Sequence, residues 1–315
     1  MKITVVGMGA VGTEVVGHLL NSGVATEIAV IDQARDKARA EIWDFSHITS
    51  FIYAQNPRLT AGEWDDTAGS DVVVITAGAQ IKVGTTRDTV AQVNGEIMRK
   101  IISEVERTSP NAIVLMVTNP VDILTQVALR HSSFPKERVI SLGTIIDTAR
   151  FMRIVSEHVG IDPKNIFGWV LGDHSETSFI PWSLVNVCGL DVDTYCALND
   201  VAALDRDAVR RRVIQVGLDI LAGKGNTNHG IAAAVYRIIR AIAGDEHSVL
   251  PVGTLLQGEY GVVDAVMSVP CVIGRKGRER VVACRFTPEE QAAFDASHAH
   301  VLEVLARADT QANGG

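Results

Sequence analysis

The first half of the chain alternates short apolar runs with segments whose apolar residues recur at helical spacing. Strands are predicted by five runs, at residues 3–6, 27–31, 71–76, 112–117 and 139–142. Two of these, 71–76 and 112–117, are almost continuously apolar and rich in β-branched residues, which is typical of strands buried on both faces of a parallel sheet. The helical spacing between the runs predicts helices at 11–20, at 35–45 and around the stripe Ile97, Ile101, Ile102 and Val105.

The second half of the chain has a different pattern, in which helices predominate. Helices are predicted at about 147–159, 205–223 and 228–243, and a strand is predicted at 166–171. This change of pattern near residue 143 comes without a polar or low-complexity linker. We therefore expect an α/β protein in which a doubly wound parallel sheet, residues 1–142, is followed by a mixed α+β domain, residues 143–315.

The C-terminal region predicts a hairpin and a capped helix. Apolar runs at 267–273 and 280–286 flank a Gly-Arg-Lys-Gly segment, which favours a β-hairpin. The final helix is expected to begin at Thr287, because Thr caps a helix, proline suits its first turn and Glu290 can complete a capping box.

Composition narrows the functional class. The 315 residues are 47% hydrophobic and carry a net charge of −8, with no basic block, so a nucleic-acid surface is not expected. No apolar run reaches the ~18 residues that cross a membrane, and the first run is too short for a signal peptide. The four cysteines lack metal-site spacing, so we expect no metal and reduced, mostly buried thiols in a cytoplasmic protein.

A nucleotide-binding signature lies between the first predicted strand and helix. Gly7, Gly9 and Gly12 fit G-x-G-x-x-G, in which the glycines allow a tight turn, close approach of a pyrophosphate and close helix–strand packing. Asp32 ends the second predicted strand, twenty residues after Gly12. A carboxylate there accepts hydrogen bonds from the ribose hydroxyls and repels a 2′-phosphate, which favours NAD over NADP. The alternative is a glycine turn that only connects a strand to a helix.

Several motifs occur in a fixed order along nearly the whole chain. They are the glycine loop, Thr-Ala-Gly-Ala at 76–79, Gly-Thr-Thr-Arg at 84–87, Val-Thr-Asn-Pro-Val-Asp at 117–122, Gly-Thr-Ile-Ile-Asp-Thr-Ala-Arg-Phe at 143–151 and Gly-Asp-His at 172–174. Through these motifs the chain resembles the L-lactate/malate dehydrogenase family. The resemblance implies a Rossmann-type NAD domain followed by a substrate domain. It also implies cofactor contacts from Thr76, Ala77, Gly78, Asn94 and Asn119.

The resemblance identifies a set of catalytic residues that suits reduction of a 2-oxo acid. His174 is the expected proton donor, because imidazole titrates near neutral pH, and Asp147 is its carboxylate partner. Arg150 follows Asp147 by three positions on the same helix face, and its planar guanidinium suits a bidentate carboxylate. Arg87, just after Gly84, is expected to polarise the carbonyl and exclude water when its loop closes. Asn119 is expected near the nicotinamide and the substrate carbonyl.

Each of these residues also has an ordinary structural explanation. Asp147 and Arg150 could form a surface i,i+3 ion pair, and Arg87 could be a solvated loop charge. His174 could be a loop histidine satisfied by Asp173 or Glu176. Taken together with the nucleotide site, however, the four residues favour an enzyme over these separate explanations.

Two positions bear on the substrate side chain. The family reads that side chain through the loop position occupied here by Ile81, where malate enzymes have arginine and lactate enzymes glutamine. Without a cation at Ile81, a second substrate carboxylate is not expected, and the neighbouring Lys82 is interpreted as solvent-facing. Gly217 and Thr227 belong to a region that lines the same pocket in the family, and glycine there resembles L-2-hydroxyisocaproate dehydrogenases. Gly217 could instead serve helix packing.

The sequence therefore predicts an NAD-dependent L-2-hydroxyacid dehydrogenase acting on 2-oxo acids with apolar side chains, such as 2-oxoisocaproate or phenylpyruvate. The alternative is an L-lactate dehydrogenase acting on pyruvate, and malate dehydrogenase is a further one. Other classes are an NAD-binding redox sensor without turnover and an NAD-dependent glycosidase, which would need metal ligands. Because the family forms oligomers, a homodimer or homotetramer is expected.

Two departures from the family pattern stand out. Ser175 replaces a glycine that follows the histidine, which puts the local backbone geometry in question. Met152 and Phe167 occupy positions where enzymes activated by fructose bisphosphate have arginine and histidine, so activity independent of that activator is expected.

Overall fold

The computed structural model describes residues 1–51, 56–79 and 87–312, with side chains at all of these except 87–90 and 308–312. Its main feature is a nine-stranded sheet, with a small two-stranded ribbon beside it. The strands are β1 Lys2–Val6, β2 Glu27–Ile31, β3 Arg58–Ala61, β4 Val72–Ile75, β5 Ile113–Met116, β6 Val139–Ser141, β7 Ile166–Phe167, β8 Asn186–Val187, β9 Ser248–Gln257, β10 Val263–Gly274 and β11 Gly277–Val281.

Helices cover the sheet and build the rest of the second half. Within the described residues they are α1 Ala10–Ser22, α2 Arg35–Ile48, α3 Arg87–Thr108, α4 Val121–Arg130, α5 Ile145–Val159, α6 Val192–Leu198, α7 Arg206–Lys224, α8 His229–Ala243 and α9 Pro288–Ala312. No helix of this described part is both long and apolar enough to span a bilayer.

The parallel part of the sheet runs in the order β6-β5-β4-β1-β2-β3. The chain therefore moves outward from β1 in one direction and then returns to the other side, which is the doubly wound arrangement predicted from the sequence. β4 and β5 are buried at every position, as their continuous apolar runs indicated. Because the two halves wind in opposite directions, a crevice opens at the carboxyl ends of the central strands, where such sheets bind ligands.

The antiparallel strands β9, β10 and β11 extend the same sheet beyond β6. The junction is a short antiparallel contact in which Ser141 of β6 pairs with Gly253 of β9. One core cluster contains residues of both halves, from Ile3 of β1 to Phe294 of α9. The α/β class with a parallel sheet and a mixed second half is confirmed, and the two halves share a sheet and a core.

The pattern missed two strands and misplaced a third. The missed strands are β3, which is only partly buried, and β9, whose apolar run is interrupted by Pro251 and Gly253. The hairpin partner begins at Gly277 and ends at Val281, so the strand predicted at 280–286 is displaced. Pro251 lies opposite Pro270 in β10, and these two residues without N–H groups occupy one position of the ladder.

The strand predicted at 166–171 is also interrupted. After the two residues of β7 the chain leaves the ladder, and α5 satisfies its backbone instead. Thr148 Oγ1 accepts from the N–H of Val170 at 2.9 Å, and Thr144 donates to the Val170 carbonyl at 2.5 Å. Pairing resumes where Gly172 exchanges hydrogen bonds with Ser268 of β10. The segment before the histidine is therefore held by a helix and a sheet edge together.

The last helix, α9, begins as predicted and reaches back to this segment. Thr287 Oγ1 accepts from the Glu290 N–H at 3.2 Å, and the Glu290 carboxylate accepts from the Thr287 N–H at 3.0 Å, which completes the capping box. Phe294 is fully buried and its ring lies 6.2 Å from that of Phe179. Phe179 directly follows residues 172–178, the loop with His174, hereafter the catalytic loop. The capped start of α9 thus sets the position of residues that pack on the site.

All four cysteines are free. Cys196 and Cys271 are buried, as expected, whereas Cys188 is exposed and Cys284 is half-buried. The expectation of mostly buried thiols was therefore only half right.

Candidate active site

The glycine loop after β1 is built by close backbone contacts. A Cβ atom at Gly12 would lie 1.8 Å from the Gly7 carbonyl oxygen, and one at Gly7 would lie 2.6 Å from the Ala77 nitrogen. Gly7 also has a φ of 101°, in the region that favours glycine. Thr76 Oγ1 donates to the Gly7 carbonyl at 2.8 Å. The ends of β1 and β4 are therefore joined by close packing of Gly7 and Gly12 against Thr76 and Ala77.

Gly9 differs from these two glycines because it faces open space. No atom lies within 4 Å of the position that its Cβ would occupy, and it immediately precedes α1. The first turn of α1 presents backbone N–H groups and the positive end of the helix dipole to this space. The arrangement fits the pyrophosphate of a dinucleotide, with a glycine where the backbone must be approached most closely.

Asp32 is held at the end of β2 beside the same loop. Its carboxylate accepts hydrogen bonds from the N–H of Met8 at 2.6 Å and of Ala34 at 2.8 Å. The side chain is thereby fixed between the glycine loop and the start of α2, while each oxygen keeps a lone pair for a ribose hydroxyl. This geometry fits the ribose-binding role that the sequence predicted for Asp32.

Asn94 of α3 is a connector between two loops of the crevice. Its side-chain Oδ1 accepts from the Ala79 N–H at 2.6 Å, and its Nδ2 donates to the Asn119 carbonyl at 2.8 Å. The side chain is almost fully buried, and Gly78 packs against it and against Thr118, which leaves no room for a Cβ. Asn94 was predicted to contact the cofactor. In the structure its amide is used to hold the loops after β4 and β5.

The histidine, aspartate and arginine predicted from the sequence form one connected group. His174 Nδ1 lies 2.6 Å from Asp147 Oδ2, and Arg150 donates to Asp147 Oδ1 at 3.0 Å. The side chain of Asp147 is 9% exposed, so the pair with Arg150 is not an ordinary surface ion pair. Within the described residues, Asp147 is the one hydrogen-bond acceptor of the Arg150 guanidinium, which leaves donors for a ligand.

This arrangement shifts the protonation of both partners. Asp147 raises the pKa of His174 to about 9, against an opposing effect of burial. Burial alone would raise the pKa of Asp147, but the charges and hydrogen bonds of His174 and Arg150 outweigh it and lower that pKa. The imidazolium and carboxylate forms are therefore both favoured at neutral pH. Because Asp147 holds Nδ1, the proton on Nε2 is the one available to a substrate.

The loop that carries His174 is held from several sides. The Asp173 N–H donates to Ser297 Oγ of α9 at 2.8 Å, and the Asp173 carboxylate lies 2.8 Å from His300 Nδ1. Arg210 of α7 donates to the Ser178 carbonyl at 3.1 Å. Asp173 is thus paired with α9, whereas the ring of His174 is paired with Asp147. The sequence had left Asp173 open as a partner of His174, and the structure gives each of these residues a different partner.

Ser175 does not require the backbone conformation reserved for glycine. It is not among the residues with positive φ, and its hydroxyl accepts from the Thr177 N–H at 3.1 Å. The serine therefore closes a local turn after the histidine, and the concern raised by the missing glycine does not apply to the backbone.

Gly217 of α7 lies directly against Arg150. A Cβ there would be 2.9 Å from Arg150 Nη1 and 3.1 Å from Cζ, so the missing methyl group leaves room for the guanidinium. Thr227 lies in the half-buried segment between α7 and α8. Ile81 and Lys82 lie outside the described residues. Arg87 begins α3, but its side chain is not described, so the predicted roles of Ile81 and Arg87 remain predictions.

Sequence reasoning assigned no role to Asp122, which the structure places against the catalytic loop. Its Oδ2 accepts from the main-chain N–H of His174 at 2.9 Å, and the residue is buried. The available signal was a carboxylate in the first turn of a helix, directly after the Asn119-Pro120 motif. Asp173, Ser297 and Arg210 were also missed as supports, because their contacts join segments far apart in sequence.

We expect the close-packed Gly12 and the open Gly9 to respond differently to substitution by alanine. Gly12→Ala introduces a methyl group that overlaps the Gly7 carbonyl and should cost about 1–3 kcal/mol of unfolding free energy. Gly9→Ala meets no protein atom, so its melting temperature should stay near that of the wild type while NADH binding weakens. Thermal melts and NADH fluorescence titrations measure both. A Gly12→Ala variant with wild-type stability and affinity would contradict this account of the loop.

Comparison with protein-family models agrees with the geometry. Residues 1–141 match the NAD-binding domain of lactate/malate dehydrogenases, and residues 144–311 match the α/β C-terminal domain of the same family. The NAD cofactor predicted from the glycine loop and Asp32 is thereby confirmed.

Similar proteins cover almost the whole chain. The L-lactate dehydrogenase 1 of Clostridium acetobutylicum is 40% identical over 292 residues, covering 92% of this chain and 93% of that protein. The L-lactate dehydrogenase of a Thermoanaerobacter species is 38% identical and covers 98% of this chain and 99% of its own length. The crystal structure of the minor L-lactate dehydrogenase from Enterococcus mundtii superposes with a TM-score of 0.93 at 31% identity, covering 97% of each chain. The chain belongs to the lactate/malate dehydrogenase family and is an NAD-dependent 2-hydroxyacid dehydrogenase.

Proposed function

We propose that the protein is an L-lactate dehydrogenase, which interconverts pyruvate and L-lactate. The observation that supports this most directly is the connected group His174–Asp147–Arg150, with contacts of 2.6 and 3.0 Å. It provides a proton donor and a carboxylate clamp side by side at the crevice of an NAD-binding sheet. The relatives named above are L-lactate dehydrogenases, which favours pyruvate over the bulkier 2-oxo acids expected from the sequence.

Each residue of the site has a defined task in this reaction. When bound, the nicotinamide exchanges a hydride with the carbon that bears the oxygen. Arg150 binds the substrate carboxylate through the donors that Asp147 does not use. His174 gives its Nε2 proton to the carbonyl oxygen during reduction and takes one back during oxidation. Asp147 stays ionised, orients the ring and stabilises the imidazolium. Arg87 is proposed to polarise the carbonyl.

A second candidate keeps the sequence-based preference for larger apolar side chains, such as that of 2-oxoisocaproate. Gly217 supports it only through the resemblance, in which L-2-hydroxyisocaproate dehydrogenases have glycine, because in the structure the space beside Gly217 is occupied by the Arg150 guanidinium. Ile81 also favours an apolar substituent, since each buried CH₂ contributes ~0.8 kcal/mol. Oxaloacetate is disfavoured under both candidates, because Ile81 offers no charge for a second carboxylate.

Other classes explain the site less well. A redox sensor without turnover would not need a buried ion pair that keeps an imidazolium ready to donate. A glycosidase of a related fold would need metal ligands, whereas the two described carboxylates at His174, Asp147 and Asp122, already accept hydrogen bonds from its ring and its backbone. We further propose a cytoplasmic homodimer or homotetramer. Phe167, 50% exposed, and Met152 occupy the activator positions, so we propose activity independent of fructose bisphosphate.

We expect pyruvate to be the best substrate. Steady-state NADH oxidation with pyruvate, 2-oxoisocaproate, phenylpyruvate and oxaloacetate should give the highest kcat/KM for pyruvate and the lowest for oxaloacetate. The control is His174→Ala, which should lose at least about a hundredfold in kcat/KM with every acid. A higher kcat/KM for 2-oxoisocaproate than for pyruvate would replace the first candidate with the second.

We expect Gly217→Ala to disturb substrate binding through Arg150. The new methyl group would lie 2.9 Å from Arg150 Nη1, so the guanidinium must shift, and KM for pyruvate should rise several-fold. Bulky acids should lose by a similar factor, because the methyl group acts through Arg150, which binds the carboxylate that all these acids share. Gly223→Ala, on the same helix with no atom near its Cβ position, is the matched control. Equal kinetics of the two variants would show that Gly217 does not act on the site.

We expect reduction of pyruvate to depend on protonated His174. Because the folded pKa of His174 is raised to about 9, kcat/KM for reduction should be level at neutral pH and fall as pH rises through about 9. Stability has the same sign: the ion pair stabilises the fold below pH 6.5, and its contribution is lost as pH rises through 9. Asp147→Asn removes the main cause of the shift, so its kcat/KM should fall at a lower pH. An unchanged pH profile would refute this role of Asp147.

A further inference from the structure

Asp122 is a second buried carboxylate at the site, in addition to Asp147. It lies in the first turn of α4 and is 5% exposed. Oδ2 accepts from the main-chain N–H of His174 at 2.9 Å, and Oδ1 accepts from the Ser141 hydroxyl at 3.2 Å. Asp147 therefore contacts the ring of His174, whereas Asp122 contacts its backbone.

The residues around Asp122 pack closely against its carboxylate and fix its position. A Cβ at Gly253 of β9 would lie 2.7 Å from Asp122 Oδ1 and 2.0 Å from Ser141 Oγ, so only glycine fits beside them. Ser141 Oγ in turn accepts from the Gly143 N–H at 3.1 Å. The carboxylate thus connects α4, the end of β6 and the catalytic loop, at the point where the two parts of the large sheet meet.

Burying an ionised carboxylate in this position costs free energy, so a functional reason for the charge of Asp122 is expected. Within the described residues Asp122 forms no ion pair with a lysine or arginine, and burial raises its pKa to about 6. A structural hydrogen bond to one N–H group does not need a charge. In the part of the chain whose side chains are described, the charged groups that act on His174 are Asp147 and Arg150 from α5 and Asp122 from α4, and Asp122 acts to raise the pKa of His174. The negative charge of Asp122 therefore lies close enough to the imidazolium to stabilise it.

We propose that Asp122 is a positioning residue for proton transfer: it anchors the main chain of His174 and places a negative charge near the imidazolium. This inference rests on the proposed function, because it gives the charge a use in the donation of the His174 proton. Asp147 selects the ring orientation, and Asp122 fixes the loop from which the ring extends. Both carboxylates then favour the protonated ring before substrate reduction.

The test separates the charge of Asp122 from its hydrogen bonds. Asp122→Asn keeps an oxygen for the His174 N–H and can donate to Ser141 Oγ, but it carries no charge. The pKa of His174 is measured by NMR in the protein without cofactor or substrate, with the resonance assigned by its loss in His174→Gln. Pyruvate reduction is measured over the same pH range. Asp65→Asn, at an 84% exposed carboxylate, is the matched control.

If Asp122 acts as proposed, the His174 pKa in Asp122→Asn lies below the wild-type value, and Asp65→Asn does not change it. The alkaline limb of kcat/KM should move to lower pH by the same amount, with kcat reduced more than KM is changed. Asp122→Ala, which also releases the backbone, should lose about a further tenfold or more in kcat. If Asp122→Asn does not fold, Ser141→Ala, which removes a hydrogen bond that favours ionised Asp122, should lower the His174 pKa in the same direction.

An Asp122→Asn variant with the wild-type His174 pKa would overturn the proposal, even if its turnover were low, because a purely structural contact predicts that result. The NMR measurement does not depend on the substrate. A wild-type enzyme that fails to reduce pyruvate would therefore refute the proposed function without deciding the role of Asp122.

Discussion

The bond between His174 Nδ1 and Asp147 Oδ2, 2.6 Å long, is the interaction on which the site depends. It joins a loop from the second half of the chain to the first turns of α5, and it raises the pKa of a ring that would otherwise titrate near neutrality. A buried ion pair gives net stabilisation only when the surrounding residues fix both partners in good geometry, because desolvation of the two charges opposes it. Much of the surrounding structure supplies that support, from Arg150 on one side to the α9 contacts of Asp173 on the other.

The support comes from a sheet that is continuous through both halves of the chain. β6 ends beside β9 at Ser141 and Gly253, and the loop with His174 pairs with β10 at Ser268. The cofactor crevice and the catalytic loop are therefore fixed to the same nine-stranded sheet. Close backbone contacts, such as that between Gly12 and Gly7, bring the loops together without side chains between them.

Much of the fold and of the candidate site could be predicted, because the sequence patterns that indicate them are local or occur as ordered motifs. The apolar runs of β4 and β5, the capping box at Thr287 and the glycine turn before α1 each lie within a few consecutive residues. Where local signals conflicted with tertiary contacts, prediction failed. Pro251 and Gly253 interrupt the pattern of β9, yet β10 and the junction with β6 stabilise it as a strand. The segment before His174 looks like a strand, but Thr144 and Thr148 hold its backbone instead.

The amino-acid sequence by itself predicted the fold class, the NAD cofactor and the group of His174, Asp147 and Arg150 that we propose for proton transfer, because hydrophobic period, glycine spacing and ordered motifs are properties of the chain. The tertiary structure decided which charges meet. It paired Asp173 with His300 and Ser297, directed Asp122 to the His174 backbone, placed Gly217 against Arg150 and used Asn94 as a connector. These contacts join residues far apart in sequence, and only packing of helices on a shared sheet brings them within hydrogen-bond distance.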